Sequence, residues 1–442
     1  MNRFAALLLT FCSVCVFHAE IGAQTPQDSV TTRRVVTRSG YRLPVAVDEF
    51  TLGGGSVSPE VQSQMREMAE VVRQDLAFSG YFRVVRFDSL YLQYMGVSVL
   101  DLQGWSHLGA EYLGLGKVTP TGDGFRIVFS LTGILGRELI FEKTFTGLAL
   151  QRRQVAHQIA NEVIYYLWGG RTRIFDTKIV AARQTGEKTK ELYLFDFDGF
   201  GGRALTNTKS LCLSPAWFPA GDRLVFTSYR DDNPDLWLLL LPNNAIHKLS
   251  ARQGLNTSPA VWPDGRYLVA TLSVDGNAEL YLLTDAGKIA RRLTQSPFIE
   301  SEPSVSPDGR FIAFTSDRLG HPQVFVMDAD GNNVRRVTFQ GGYNASPVWS
   351  PRGDKIAFVS RNDRGGFDLC TVNVDGTGLA VLTATGSNED PAWSPDGYHL
   401  VFSSLRNGER NLFTITFDGS NERQITSGGG YSGPAWGPVP RP

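Results

Sequence analysis

The chain has 442 residues, of which 42% are hydrophobic and 20% charged, as in a globular protein with room for two or three domains. Its 43 basic and 44 acidic residues leave a formal charge of -1, which argues against nucleic acid or an anionic membrane as the main partner. The 46 glycines favour a turn-rich, mainly β protein over a helical one.

The first 23 residues have the features of an export signal. Arg3 precedes an apolar run from Phe4 to Phe17, and the small residue Ala23 supplies a cleavage point. A transmembrane anchor is the alternative, but the run is shorter than the roughly 20 residues that span a bilayer. Residues 24–41 contain few apolar groups, so we expect them to form a mobile N-terminal segment.

Residues 42–170 are predicted to form a small α+β domain, with a mixed sheet and two main helices. Ser58-Pro59 is a helix start, because a capping hydroxyl is followed by proline at the first helical position, and Gly80 ends this helix. Leu150 to Trp168 is the second main helix. The expected strands are Leu43 to Phe50, Tyr81 to Val85, Glu111 to Val118, Gly124 to Thr132 and Glu138 to Thr146, with a short helix from Asp101 to Leu108.

From residue 171 onward the sequence repeats with a fixed period. Prolines stand at positions 215, 259, 303, 347 and 391, each 44 residues after the last, and Pro434 follows 43 residues later. Each full unit contains four short β segments. A turn such as Pro307-Asp308-Gly309 joins the first to the second, and an Asp-Gly turn joins the third to the fourth. Four antiparallel strands in a unit of this length predict a propeller blade.

The number of blades follows from two incomplete units. Five complete units run from Pro215 to Thr426, preceded by three strands of a blade and followed by a single strand around Pro434. The two fragments complete one another. The prediction is therefore a mainly β fold in which residues 171–442 form a six-bladed β-propeller, closed by the C-terminal strand, whose closure protects the sheet edges.

The cysteine, histidine and acidic residues are not spaced as in any catalytic or metal-binding motif. Cys212 and Cys370 lie three periods apart, too far for the roughly 7 Å that a disulfide allows, so both are expected to be unpaired and buried. The Asp-Gly turns lack the further oxygen ligands and distal Glu of a calcium loop. There is also no Gly-x-Ser-x-Gly nucleophile elbow. We therefore expect no cofactor, no metal and no enzymatic activity.

The remaining candidate for function is one face of the propeller. Loops that enter each first strand and loops that join second to third strands gather there, and we call this face the mouth. Aromatic and charged residues occur together in these loops, as they do in protein interfaces. The residues predicted from the entering loops include Leu255, Phe298, Glu300, Tyr343 and Glu389.

Together these features resemble the TolB family, a periplasmic component of the Tol-Pal cell-envelope system. The resemblance rests on an export signal, a small α+β domain and Pro-x-Trp-Ser-Pro-Asp-Gly repeats in one chain. The supporting sequences are Leu43-Pro44-Val45-Ala46-Val47-Asp48-Glu49-Phe50, Asp75-Leu76-Ala77-Phe78-Ser79-Gly80-Tyr81-Phe82 and Arg171-Thr172-Arg173-Ile174-Phe175. The repeats alone are less specific, since peptidase and tricorn-type propellers share them.

The resemblance implies a non-enzymatic, monomeric periplasmic scaffold that reaches membranes only through its partners. A Pal-like peptidoglycan-associated lipoprotein would bind over the mouth, and a TolA-like inner-membrane protein would bind the N-terminal segment; other outer-membrane proteins are further candidates. It adds Ser258, Ser301, Glu302, Ser346 and Asp390 to the mouth. The implied TolA-binding segment consists of Arg34, Val35, Val36, Thr37, Arg38, Ser39, Gly40 and Tyr41.

Two alternatives remain open on sequence grounds. The first is a secreted propeller that binds glycan or another envelope component. The second is a propeller related to those of serine peptidases, although the chain leaves no room for a hydrolase domain. Recovery of a Pal-like lipoprotein from envelope extracts separates the protein-binding hypothesis from both.

Overall fold

A computed structural model of the chain describes residues 41–54, 58–86, 101–170 and 173–441. The predicted export signal (residues 1–23) and all but Tyr41 of the predicted N-terminal segment lie outside the described residues. No helix among the residues described is both long and apolar enough to cross a bilayer.

The N-terminal part is an α+β unit with a mixed sheet, as predicted, but the sheet has six strands because Thr51–Leu52, outside the predicted strands, forms a short strand of its own. The sheet order is β3-β1-β4-β5-β6, and β2 pairs with β4. Pairs among β1 to β4 are parallel, whereas β4-β5 and β5-β6 are antiparallel. The elements are β1 (Leu43–Val47), β2 (Thr51–Leu52), α1 (Pro59–Phe78), β3 (Phe82–Val85), α2 (Leu102–His107), β4 (Tyr112–Thr121), β5 (Gly124–Gly133), β6 (Glu138–Leu148), a 3-10 turn (Ala149–Gln151) and α3 (Arg152–Trp168).

Helix α1 begins and ends where its sequence predicts. The Ser58 hydroxyl accepts a hydrogen bond from the Val61 N–H at 3.4 Å, and Pro59 is the first helical residue. Gly80 follows the helix end with a φ of 74°. The apolar stripe that includes Met65 and Leu76 is buried against the sheet and α3. The stripe therefore packs in the core, as the sequence indicated.

The second part is a propeller of six four-stranded blades. Blades II to VI are continuous in sequence, whereas blade I combines the last strand of the chain with the first three strands of the propeller. The first strand of each blade lies innermost. Blade I contains β7 (Lys178–Gly186), β8 (Thr189–Asp196), β9 (Arg203–Ala204) and β30 (Tyr431–Trp436); blade II β10 (Cys212–Trp217), β11 (Arg223–Ser228), β12 (Asp235–Leu240) and β13 (Ala245–Ser250); blade III β14 (Asn256–Val261), β15 (Tyr267–Leu272), β16 (Glu279–Thr284) and β17 (Ile289–Arg292).

The other three blades repeat the same order. Blade IV contains β18 (Glu300–Val305), β19 (Phe311–Ser316), β20 (Gln323–Asp328) and β21 (Arg335–Arg336); blade V β22 (Asn344–Trp349), β23 (Lys355–Arg361), β24 (Phe367–Asn373) and β25 (Ala380–Val381); blade VI β26 (Ser387–Trp393), β27 (His399–Arg406), β28 (Glu409–Thr416) and β29 (Arg423–Gln424). Cys212 and Cys370 are free and buried, as predicted.

Glycines in the turns between third and fourth strands also position neighbouring blades. Gly287 and Gly331 have positive φ values of 75° and 94°, which fits their predicted turn role. A Cβ on Gly287 would lie 1.9 Å from the carbonyl oxygen of Leu249, and one on Gly331 would lie 2.3 Å from that of Leu293. Both carbonyls belong to the preceding blade. Glycine is therefore required at these positions for two reasons. The turn needs a positive φ, and the carbonyl of the preceding blade leaves no room for a Cβ.

The last strand closes the ring. β30 pairs antiparallel with β7, and Trp436 lies opposite Ile179. The Trp436 indole donates a hydrogen bond to the Thr177 hydroxyl at 2.8 Å, and the Gly437 N–H donates to the Lys178 carbonyl at 2.7 Å. The chain end is thus held to the start of the propeller by backbone and side chain together.

The α+β domain packs on the propeller face opposite the mouth. Phe78, at the end of α1, stacks on His399 with ring centroids 4.6 Å apart. The Phe78 carbonyl accepts hydrogen bonds from the His399 ring at 3.0 Å and from the Asn421 side chain at 3.0 Å. Tyr81 packs on Tyr398 at 4.7 Å. Because these partners lie at the turns opposite the mouth, the mouth is left uncovered by the α+β domain.

Removing residues 431–442 is expected to lower the thermal midpoint of the propeller by about 5 °C or more, because the loss of a buried tryptophan alone costs about 3–5 kcal/mol. Calorimetry of the mature chain checks this. A matched truncation that removes only residues 439–442 keeps β30 and should retain the midpoint. Equal midpoints for the two truncations would contradict closure by β30.

Candidate protein-binding site at the propeller mouth

The mouth surrounds a central channel formed by the six first strands, β10, β14, β18, β22, β26 and β30. Most of the predicted mouth residues lie in these strands rather than in the loops before them. The structure places Ser258, Glu300, Ser301, Glu302, Ser346, Glu389 and Asp390 within first strands, and Leu255, Phe298 and Tyr343 just before them. Each ladder therefore begins about three residues before the proline that marks the repeat.

A backbone kink makes this earlier strand start possible. The residue before each of the six repeat prolines has a left-handed φ between 49° and 55°, and the register of the ladder shifts there. Five of the six are not glycine, so each carries a conformational strain of about 1 kcal/mol or more. The residues are Ser214, Ser258, Glu302, Ser346, Asp390 and Gly433. We call them the kink ring.

The two acidic members of the kink ring connect neighbouring blades. The Glu302 carboxylate accepts hydrogen bonds from the Ser346 N–H at 2.8 Å and from the Thr315 hydroxyl at 2.8 Å. Asp390 accepts from the Gly433 N–H at 2.9 Å and from the Ser403 hydroxyl at 3.0 Å. In both cases, one donor lies on the second strand of the blade that contains the acid, and the other lies in the next blade. Part of the role of these acids is therefore to stabilise the ring.

Glu300 does not reach the mouth surface, contrary to the expectation from its place before Pro303. Its side chain is completely buried and forms an ion pair with Arg318 at 2.9 Å. Burial raises the pKa of Glu300 against the opposing effect of hydrogen bonds from Ser296 and Arg318. The alternation along β18 turns this carboxylate between the blades, so it can affect a partner only through Arg318.

One half of the mouth exposes apolar side chains. They come from the loops of blades II, III and IV, and their exposed fractions range from 36% to 50%. The residues are Tyr229, Leu255, Val274, Phe298, Ile299 and Leu319. Leu405 is exposed on the blade VI side. A patch of exposed apolar groups with a polar border is a feature of protein-binding surfaces. We call these six residues the apolar sector.

The other half contains a charged cavity of about 360 Å³ between blades VI, I and II. Glu389 and Asp390 line it together with Lys190 and Arg410. Arg410 forms an ion pair with Glu389 at 3.0 Å, and the Lys190 ammonium donates to the Ser432 hydroxyl at 2.8 Å. Burial lowers the pKa of Lys190, although nearby Asp390 opposes this shift. The cavity therefore presents both signs of charge to a docking surface.

Lys190 and Arg410 are missing from the predicted mouth set. They occupy the same position in blades I and VI, two residues before Leu192 and Leu412, which lie on the third strands and pair with the second strands. Blades II and IV have Pro234 and Pro322 there. Alignment of the repeats would have shown two cations where other blades carry proline. What it could not show is that both side chains point into one cavity.

Within the described ranges, no group of three or more His, Cys, Asp or Glu side chains could hold a metal ion. The Asp-Gly turns that resemble calcium loops use their carboxylates locally. Asp330 accepts from the Asn332 N–H at 3.1 Å, and this backbone hydrogen bond is the main cause of its lowered pKa. Asp375 binds Thr377 in the same manner. These side chains cap their own turns.

Of the predicted N-terminal binding segment, only Tyr41 is described. It is half exposed, and its hydroxyl donates a hydrogen bond to the Glu111 carboxylate. Arg34, Val35, Val36, Thr37, Arg38, Ser39 and Gly40 lie outside the described residues.

Replacement Glu302→Gln is expected to lower the free energy of unfolding by about 1–3 kcal/mol, because the amide leaves a buried donor in blade IV or V without its acceptor. Urea denaturation at neutral pH measures the change. Glu422→Gln, which removes a partly exposed ion pair with Arg406, is the control and should cost less than about 1 kcal/mol. A smaller effect for Glu302→Gln than for the control would contradict the bridging role.

Comparison with known proteins matches both parts of the chain. Residues 165–440 match the family model described as the TolB beta propeller domain, and residues 34–140 match the TolB amino-terminal domain. A Tol-Pal system protein TolB from Desulfosudis oleivorans is 35% identical over 221 residues, 49% of each chain. One from Pseudomonas syringae pv. syringae is 29% identical over 58% of this chain and 57% of that protein. The chain thus spans about half the length of these curated relatives.

Similarity to a solved structure extends further. The crystal structure of TolB from Acinetobacter baumannii is matched with a TM-score of 0.77 and 25% identity, covering 90% of this chain and 97% of that one. The similarity includes both the α+β unit and the propeller. Because the propeller model alone matches well over half of the residues, the chain belongs to the TolB family.

Proposed function

We propose that this chain is a periplasmic, non-enzymatic scaffold of the Tol-Pal system. A Pal-type peptidoglycan-associated lipoprotein binds over the mouth, and a TolA-type inner-membrane protein binds residues 34–41. By linking the two, the scaffold supports outer-membrane integrity and cell division. The relatives' names as Tol-Pal system proteins support the system, and the composition of the mouth supports protein binding.

The observation that carries the proposal is the division of the mouth into two halves. The apolar sector supplies surface whose burial contributes roughly 25 cal/mol per Å². The cavity formed by Glu389, Asp390, Lys190 and Arg410 supplies charges that fix orientation and select the partner. The α+β domain occupies the opposite face, so a folded partner can approach the whole mouth.

Glu302 is a poor residue for testing this interface, because its carboxylate also holds Ser346 in the next blade. A loss of binding after its replacement would not distinguish a lost contact from a distorted ring. Ile299 and Leu319 are better probes. Both side chains are about half exposed, and both lie in loops between strands.

The double replacement Ile299→Asp with Leu319→Asp is expected to weaken binding of the Pal-type lipoprotein domain from the same organism at least about tenfold, because it puts two charges in a buried apolar contact. Calorimetric titration of the mature chain measures the affinity. Val381→Asp, at a 62% exposed position on the outer strand of blade V, is the matched control.

Wild-type affinity in the double variant would exclude the apolar sector as the binding surface. Binding of peptidoglycan fragments without any binding of the lipoprotein would replace the proposal with the glycan-binding alternative.

Deletion of residues 34–40 is expected to abolish binding of a TolA-type periplasmic domain while leaving lipoprotein binding at the mouth unchanged. The deletion preserves Tyr41 and β1, so the α+β domain should keep its thermal midpoint. Pull-down with each partner, performed on the same preparations, separates the two activities. Retention of TolA-type binding by the deletion variant would show that another surface carries it.

A further inference from the structure

A groove of about 500 Å³ lies between blade I and blade VI. Arg183, Tyr193, Phe195 and Tyr431 line it from blade I, and residues 424–427 line it from blade VI. It follows the junction where the ring closes, outside the channel and apart from the apolar sector. We call it the seam groove.

Two glycines in the turn of blade I line the groove without a side chain, and neither has room for one. A Cβ on Gly202 would lie 2.4 Å from the Phe195 ring, and one on Gly199 would lie 1.7 Å from the Ile425 carbonyl oxygen. Phe200, in the same turn, leaves the groove and packs under Arg153, whose guanidinium lies 4.3 Å from its ring centroid. On the side of this turn, the groove is therefore bounded by the Phe195 ring and by backbone.

Arg183 lies between two aromatic rings in this groove. Its guanidinium carbon is 5.3 Å from the Tyr193 ring centroid and 5.2 Å from that of Tyr431. The Arg183 side chain forms no hydrogen bond or ion pair with any residue that the structure describes. Glu191, its cross-strand neighbour, turns its carboxylate instead to Thr206, Thr208 and the Lys209 N–H. The two rings thus position the guanidinium, and its N–H donors have no acceptor among the described residues.

The other blades show what such a cation normally binds. In blades II, III, IV and VI, a cation lies over the equivalent aromatic side chain, Trp237, Tyr281, Phe325 or Phe413. In all four, the same cation also forms an ion pair with a carboxylate of its own blade. The pairs are Lys248 with Asp231 and Asp235, Arg292 with Asp275 and Glu279, Arg318 with Glu300, and Arg406 with Glu422. In blade I, Glu191 stands at the strand position of Asp235 and Glu279 but binds Thr206 and its neighbours, so no carboxylate lines the groove beside Arg183.

The groups around the open position are hydrogen-bond donors. The hydroxyls of Tyr193 and Tyr431 form no hydrogen bond with any described residue, and Ser427 adds a third hydroxyl at the wall. Burial raises the pKa of Tyr431, so this phenol stays protonated at neutral pH and can donate. Arg183 lies over one face of each tyrosine ring, so that face is not free to stack on a sugar. The groove therefore fits a carboxylate better than a sugar ring.

From this arrangement we propose that the seam groove binds an aspartate or glutamate side chain of an extended acidic peptide segment from a partner protein. The ligand carboxylate pairs with a cation that lies over an aromatic ring, as a carboxylate of the same blade does in four other blades. Arg183 donates to it with a fork geometry that suits carboxylates. Since the groove joins the first and last blades, binding there also adds a contact across the ring closure. No residue that lines the groove also lines the charged cavity or belongs to the apolar sector.

The test uses the mature chain and an acetylated, amidated peptide containing two aspartates, with the same peptide carrying asparagines as the reference. Ligand-observed NMR titration is expected to show saturable binding of the aspartate peptide, weakening as salt is added. Replacement Arg183→Gln should weaken this binding at least about tenfold, whereas Tyr431→Phe should weaken it by a smaller factor.

Arg230→Gln is the matched control. Arg230 also lies over an aromatic ring, with its guanidinium 4.6 Å from the Trp237 centroid, but it does not line the groove. Thermal midpoints of all variants are measured to exclude misfolding. Equal binding of the aspartate and asparagine peptides, no saturable binding of either, or full affinity in Arg183→Gln would overturn the proposal. Binding of glucuronate without binding of the peptide would overturn the peptide assignment.

Discussion

The pairing of β30 with β7 is the constraint on which the rest of the structure depends. It joins residues about 250 positions apart in sequence and places Trp436 beside Thr177. Without this pair, blade I would have three strands, and the inner edge of β7 would expose unpaired backbone groups to the channel. Closure also creates the channel, the charged cavity around Ser432 and the seam groove, since each includes residues from both ends of the propeller.

Within the closed ring, a constant backbone carries side chains that differ from blade to blade. The ladders need only the alternation of buried and exposed residues, so positions that face the channel or the mouth are free to vary. The kink ring is an example, because its six residues share nearly the same φ although they are serine, glutamate, aspartate or glycine. Where the residue is acidic, it binds the next blade. Function is therefore added at equivalent positions without altering the scaffold.

The end of α1 and helix α3 both contact the propeller through a shared buried core. The end of α1 inserts Phe78 between His399 and Phe197, and its carbonyl receives two side-chain hydrogen bonds from blade VI. Blade VI also supplies Glu389 and Asp390 to the charged cavity. One blade thus contacts the α+β domain at one end and contributes to the mouth at the other. The rigid ladders of this blade are the physical connection between the two faces.

The sequence by itself determined the architecture. A 44-residue period with fixed turn residues predicts six blades, and capping and periodicity predict the helices of the α+β domain, because turns and amphipathic faces are local properties. The family resemblance arises from the same local motifs. Repeat alignment could also have found the cations Lys190 and Arg410. Strand starts were less accurate, since the kink before each proline allows the ladder to begin earlier than proline alone suggests.

Only the tertiary structure decided which of these residues share a site. Glu300 and Glu302 are two positions apart, yet Glu300 is buried against Arg318, whereas Glu302 is partly exposed and binds Ser346 in the next blade. The charged cavity and the seam groove combine residues from the two ends of the propeller, and the glycines of the turns between third and fourth strands pack on backbone from the preceding blade. Such contacts depend on how one blade is rotated against the next. This rotation is set by ring closure and is not encoded in any single repeat.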